Sequence, residues 1–146
     1  MTRGRPARAG LDEALEIAEK RGDVRLAPGK RGEAYDFIIF EKFRTVFVKM
    51  KRSLTTFTYP LEVLNQYQRE VAQVHRVPLT QVTAREFWFR SPRGKWQFFL
   101  IRHDSIVEIR ADGMYNPPAE LPIIIFNDVE NDRSGDEGEV TSDAQE

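Results

Sequence analysis

The sequence contains no cysteine, which excludes disulfides, thiolate metal ligands and a thiol nucleophile. Histidine is nearly as scarce. His75 and His103 are the only two, and neither stands at a metal-ligand spacing from the other. They read as a helix-end residue and a turn residue beside Asp104. There is no glycine-rich phosphate loop, because Gly29-Lys30 lacks the flanking P-loop frame. No serine occupies a nucleophile-elbow context. No apolar run approaches the roughly 20 residues of a membrane helix, and the opening MTRGRPARAG has no apolar core of a secretory signal. These absences lead to the expectation of a soluble cytoplasmic protein with no membrane partner.

What is present fits one domain: 146 residues, of which 40% are hydrophobic, enough for one ordinary core. The net charge of −1 hides a division. Residues 127–146 hold eight acids and one base, Arg133, while the other 126 residues hold 21 bases and 15 acids. A basic body with an acidic tail suggests a polyanionic partner for the body. A solubilising tail on a scattered basic surface has the same composition.

Residues 1–10 are rich in Arg, Gly and Ala and read as a flexible basic arm. LDEALEIAEKRG reads as a helix with Leu11, Ala14, Leu15 and Ala18 on one stripe. Asp12 and Glu13 fall in its first turn and Gly22 at its stop. DVRLA is a weak strand and DFIIF a buried one. RTVFVKMKR is the clearest strand, with Val46, Val48 and Met50 on one face and Phe47, Lys49 and Lys51 on the other. Pro60 opens a helix over LEVLNQYQREVAQVHRV, with Leu61, Leu64, Tyr67 or Gln68, Val71 and Val74 as its buried stripe. Pro78 ends that helix. AREFWFR and KWQFFLIR flank an SPRG turn, SIVEIR follows, and LPIIIF reads as a last strand. Domain boundaries fall at 11–126, followed by a disordered acidic tail over 127–146. The order of elements predicts a mixed α/β or α+β fold, with a helix joining two groups of strands. The short 41–43 connection makes strands 36–40 and 45–52 antiparallel neighbours. Asp36 then lies at the open end of that hairpin, near Lys49 to Arg52.

An acid-bearing helix, a strand with Asp36, a neighbouring strand with Lys49 and Lys51, then a helix: this arrangement resembles the PD-(D/E)XK nucleases. The similarity is to their Holliday-junction-resolvase-like or restriction-endonuclease-like branch, over about residues 11–75. Tyr35-Asp36-Phe37-Ile38-Ile39 stands where that family has Pro-Asp and apolar residues. Val48-Lys49-Met50-Lys51 stands where it has an apolar residue, an acid, any residue and lysine. The resemblance implies a mixed central sheet flanked by helices, with an α-β-β-β-α-β core followed by further antiparallel strands. It implies a metal-dependent endonuclease acting on DNA, with Mg²⁺ or Mn²⁺ as cofactor and a homodimer as an arrangement that suits cuts on two strands. Carried over, Asp36 is a metal ligand, Lys51 the catalytic lysine, and Glu13 or Glu16 a helix acid completing the metal shell.

The departure is Lys49, which takes the place of the second acid. A protonated lysine does not ligate Mg²⁺ and repels it. Three readings stay open. The fold is retained for binding alone, or another acid such as Glu33, Glu41 or Glu62 replaces the missing one, or Lys49 and Asp36 form a cross-strand ion pair.

Basic residues support a nucleic-acid partner independently. Lys42, Arg44, Lys49, Lys51 and Arg52 fall within eleven residues that contain no acid. Arg85, Arg90, Arg93 and Lys95 cluster around the second hairpin, interleaved with Phe87, Trp88, Phe89 and Trp96. Cations hold phosphates and exposed aromatics stack bases; aromatic-rich strands are also the usual content of a core. The alternative of another class is a small protein-interaction domain with an acidic docking tail.

Overall fold

The period-two pattern of TVFVKMKR places this segment in a sheet with its two faces against different layers. In the computed structural model, which describes residues 4–29 and 32–115, that segment is one of the two central strands of a six-stranded mixed sheet. The strands are β1 (Asp23–Leu26), β2 (Phe37–Phe40), β3 (Thr45–Arg52), β4 (Thr83–Arg90), β5 (Trp96–Ile101) and β6 (Ile106–Ile109). They lie side by side in chain order. Neighbours are antiparallel except β3 and β4, which run parallel from Thr45↔Thr83 to Arg52↔Arg90. Helix α1 (Gly4–Glu19) precedes β1, while α2 (Pro60–Gln66) and α3 (Gln68–Val74) make the crossover that a parallel pair requires. This is the expected mixed sheet flanked by helices.

Alternation sorts the core into two layers. Ala14 and Ala18 of α1 pack with Phe37, Ile39, Val46, Val48, Trp88 and Phe98. On the opposite face, Val63, Val71 and Val74 pack with Phe57, Phe87, Phe89, Phe99 and Ile101. Met50 joins the first layer with Val46 and Val48, as the strand pattern predicts. Phe87, Trp88 and Phe89 are all buried, so none is a free surface for stacking bases. The core reading of those aromatics stands, and the base-stacking one does not.

Several boundaries differ from expectation. Helix α1 begins at Gly4, so the segment read as a flexible arm is helical from that residue. Pro6 falls within the first turn, where its missing N–H costs no hydrogen bond. Glu13 consequently lies mid-helix and not in the first turn. Gly22 stops nothing by a left-handed cap. A Cβ there would sit 2.2 Å from the Phe40 carbonyl oxygen, so glycine is needed for close approach to β2.

The single helix expected after Pro60 is two, broken at Tyr67 (φ −127°, ψ 43°). The Tyr67 ring packs against Phe57, Phe87 and Phe89. The buried stripe is therefore Val63, Tyr67, Val71 and Val74, while Leu61 is 61% exposed and Leu64 38%. The expected strand at 121–126 and the acidic tail lie outside the described residues. Among the described residues no helix is long and apolar enough to cross a membrane.

Two buried charges on β4 hold the layers together. Glu86 is fully buried and accepts bidentate hydrogen bonds from Arg21 Nη1 (3.0 Å) and Nη2 (2.8 Å), plus one from Trp88 Nε1 (2.8 Å). Arg21 Nε donates to Glu41 (2.7 Å), which also accepts from Arg44 (2.7 Å). Burial opposes the Arg21 charge, but Glu86 and Glu41 more than offset it and raise its pKa. On the other face Arg85, 2% exposed, donates to the carbonyls of His75, Val77, Ile101 and Arg102. It thereby ties the segment after α3 to β5. Arg85 is thus a structural residue and not part of a surface basic cluster.

Removing one partner of a buried ion pair leaves an uncompensated charge. Glu86→Ala should therefore lower unfolding stability by about 3–5 kcal/mol in urea titration. A loss of about 1 kcal/mol or less, the size of a surface pair, would overturn this assignment.

Candidate functional site

The hairpin places Asp36 as the sequence predicts. It immediately precedes β2, its backbone N–H donates to the Val48 carbonyl (2.7 Å), and its Oδ2 accepts from the Met50 backbone N–H (2.7 Å). Asp36 is thereby pinned against the middle of the Lys49-Met50-Lys51 segment. Burial raises its carboxyl above the usual range, and the Met50 hydrogen bond and the Lys49 and Lys51 charges only partly offset that. The nearby Glu33 charge pushes it the same way as burial.

Two grooves meet at Asp36, one on each face of β3. On the α3 face a groove of about 330 Å³ is lined by Asp36, Lys49, Lys51, Arg69, Glu70 and Gln73, with Gly32 at its edge. Lys49 Nζ donates to the Glu33 carbonyl (2.8 Å), and Lys51 pairs with Glu70 at 3.1 Å. Burial would raise the Glu70 carboxyl, but the Lys51 hydrogen bond and charge bring it below its ordinary value. On the α1 face a more apolar groove of about 520 Å³ is lined by Leu11, Leu26, Ala27, Met50 and the same Asp36, with Lys51 and Arg52 on its rim.

The three readings of Lys49 can now be compared with geometry. The cross-strand ion pair is not formed, since Lys49 reaches the Glu33 carbonyl, although its charge is still felt at Asp36. Of the proposed replacement acids, Glu41 is held by Arg21 and Arg44 at the far end of the hairpin. Glu62 caps α2 by accepting from the Thr58 and Tyr59 backbone N–H groups. Glu33 contributes its carbonyl to Lys49 and a charge near Asp36. The acid that does enter the groove is Glu70, which the sequence reading missed. Helical spacing does place Glu70 one residue before buried Val71, but only the sheet order shows that α3 crosses over β3.

No family model and no curated protein matches the chain.

Other expected site residues divide by position. Glu13 is corrected. It accepts from Arg90 Nε and Nη2 (both 2.9 Å) and from Trp96 Nε1 (3.0 Å), and these partners hold its pKa at about 2. It is committed to fixing α1 on β4 and β5. Glu16 is exposed on the same helix. Among the described residues no three His, Asp or Glu side chains converge as around a metal ion.

Lys42 and Arg44 are not brought to the groove. They sit at the β2–β3 turn, a strand of about 25 Å away from Arg52. Lys42 lies over the Phe43 ring and Arg44 is engaged by Glu41. Arg52, Arg90, Arg93 and Lys95 do gather at the Asp36 end. Arg52 pairs in register with Arg90, and Arg93 and Lys95 are exposed in the turn that follows. Of these, Arg90 is occupied by Glu13.

Asp36 and Glu13 should respond oppositely to acid. The folded-state pKa of Asp36 is raised, so its charge costs stability above its ordinary 3.8. Asp36→Asn should raise the melting temperature at pH 7, with the gain shrinking as pH falls toward that value. Glu13 is lowered from 4.5 to about 2, so its contribution is complete above 4.5 and is lost as pH falls through 2. Glu13→Gln should lower the melting temperature at pH 7 and lose that effect in acid. Thermal melts from pH 2 to 8 check both, and matching slopes for the two variants would refute the assigned signs.

Proposed function

We propose that this chain is a DNA-binding protein built on a nuclease-like fold, with the α3-face groove as its phosphate site. One observation carries the reading. Lys49, Lys51 and Arg69 line a groove whose described lining holds two carboxylates, Asp36 and Glu70, at the end of the sheet where Arg52, Arg93 and Lys95 also lie. A net positive groove on a central strand suits an anionic backbone. The resemblance of Asp36 and Lys49-Met50-Lys51 to the PD-(D/E)XK pattern supports the same ligand, and a cytoplasmic location is part of the proposal.

The residues present do not fit a Mg²⁺ or Mn²⁺ centre as they stand. Asp36 has one oxygen committed to the Met50 N–H, Glu70 is paired to Lys51, and three cations face the pair. The favoured reading is therefore a binding module, and no hydrolytic step is assigned. A metal-dependent phosphodiesterase is the second reading. It is favoured by the fact that Asp36 and Glu70 come from different elements into one groove, where a bound phosphate would draw Lys51 away from Glu70 and complete an oxygen set.

Retardation of labelled duplex, branched and single-stranded DNA across a salt series tests the binding. Affinity should fall steeply with salt, and Lys49→Ala and Lys51→Ala should each flatten the slope by about one unit. Salt-independent retention, or none, refutes the phosphate site. In the same tubes, Mn²⁺- or Mg²⁺-dependent cutting that disappears in both Asp36→Ala and Glu70→Ala would establish the second reading over the first.

A further inference from the structure

The α1-face groove shares Asp36, Met50 and Lys51 with the phosphate groove but differs in character. Its floor is apolar, formed by Leu11 of α1, Leu26 at the end of β1, Ala27 just after it, and Met50 of β3. Leu26 is 58% exposed even though it faces the α1 layer, so an apolar side chain is left open beside the site. A Cβ on Gly29 would meet nothing within 4 Å, and one on Gly10 would meet Met50 Cε and Arg90 Cδ only at ordinary contact, 3.6 Å. Lys51 and Arg52 stand at the rim, and Asp36 is the one carboxylate among the described lining residues.

We infer that this groove is a slot for a single unpaired nucleotide of a bound strand, with its base on Leu11, Leu26 and Met50 and its phosphate at Lys51 and Arg52. The inference rests on the phosphate-site reading above and names the kind of DNA that site selects. Three features point to this occupant. The cationic rim suits an anion that competes with Glu70 for Lys51, and the apolar floor suits a flat weakly polar body next to that anion. Met50 is polarizable and adaptable against an aromatic ring. The slot shares Asp36, Met50 and Lys51 with the phosphate groove on the other face of β3, so a strand that rounds the end of β3 would reach both. A nucleotide already unpaired enters without the cost of unstacking and unpairing a duplex base.

The test uses the full chain and three duplexes of one sequence: fully paired, with a single bulged 2-aminopurine, and with an abasic residue at the bulge. The bulged duplex should bind roughly tenfold tighter than the paired one. The abasic bulge should lose that advantage, and the 2-aminopurine emission should change on binding. Leu26→Trp, a change at an exposed position that fills the slot, should bring the ratio of bulged to paired affinity to about one. Equal affinity for all three duplexes, with salt-dependent binding intact, overturns the slot and leaves the phosphate site standing. A bulge advantage that survives removal of the base also overturns it, because bending at the bulge is then what the protein selects. Failure to bind any of the three overturns both readings.

Discussion

The parallel pairing of β3 with β4 is the constraint on which the arrangement depends. Two antiparallel strands can be joined by a short turn, but a parallel partner must be reached by a chain that returns over one face of the sheet. Here α2 and α3 make that return, and α3 consequently lies across Lys49 and Lys51. The other neighbouring strands are antiparallel, so the site is assembled by the one parallel crossover in the described sheet. The antiparallel β2–β3 hairpin then brings Asp36 to the same strand from its other edge. Helix, hairpin and crossover meet at the Lys49-Met50-Lys51 segment.

Much of this was legible because β3 has a strong alternating pattern. Its apolar and basic faces were assigned by period alone, and the hairpin connection fixed Asp36 beside it. The α2–α3 segment was harder, because its apolar residues fit two helical phases. Leu61 and Leu64 fit one and Val63 the other, with Tyr67 and Val71 compatible with both. The break at Tyr67 selects the second, and it is driven by packing with Phe57, Phe87 and Phe89 that no local pattern contains. Similarly, Lys42 and Arg44 are close to Lys51 in the chain but are carried to the opposite end of the sheet by a strand in between. Sequence proximity is a poor measure of charge clustering in a hairpin.

Buried ionic contacts were illegible for a different reason. Glu86 and Arg85 are adjacent on a strand of aromatics, and alternation sends one into each layer. Each is stable there because other groups satisfy it: distant Arg21 and neighbouring Trp88 for Glu86, and four backbone carbonyls for Arg85. Glu13 shows the same logic at the surface. An acid on the first helix looked like a metal ligand, and its partners in space are Arg90 and Trp96.

Asp36 belongs to both grooves, and β3 is only one strand thick between them. Burial raises its carboxyl above the usual range. An anion settling on either side of the strand raises it further, because the neutral form repels the anion less. Once neutral, Asp36 ceases to oppose an anion on the other side as well. If anions bound on both sides, this one carboxyl would couple them, and linkage would make the influence equal in both directions.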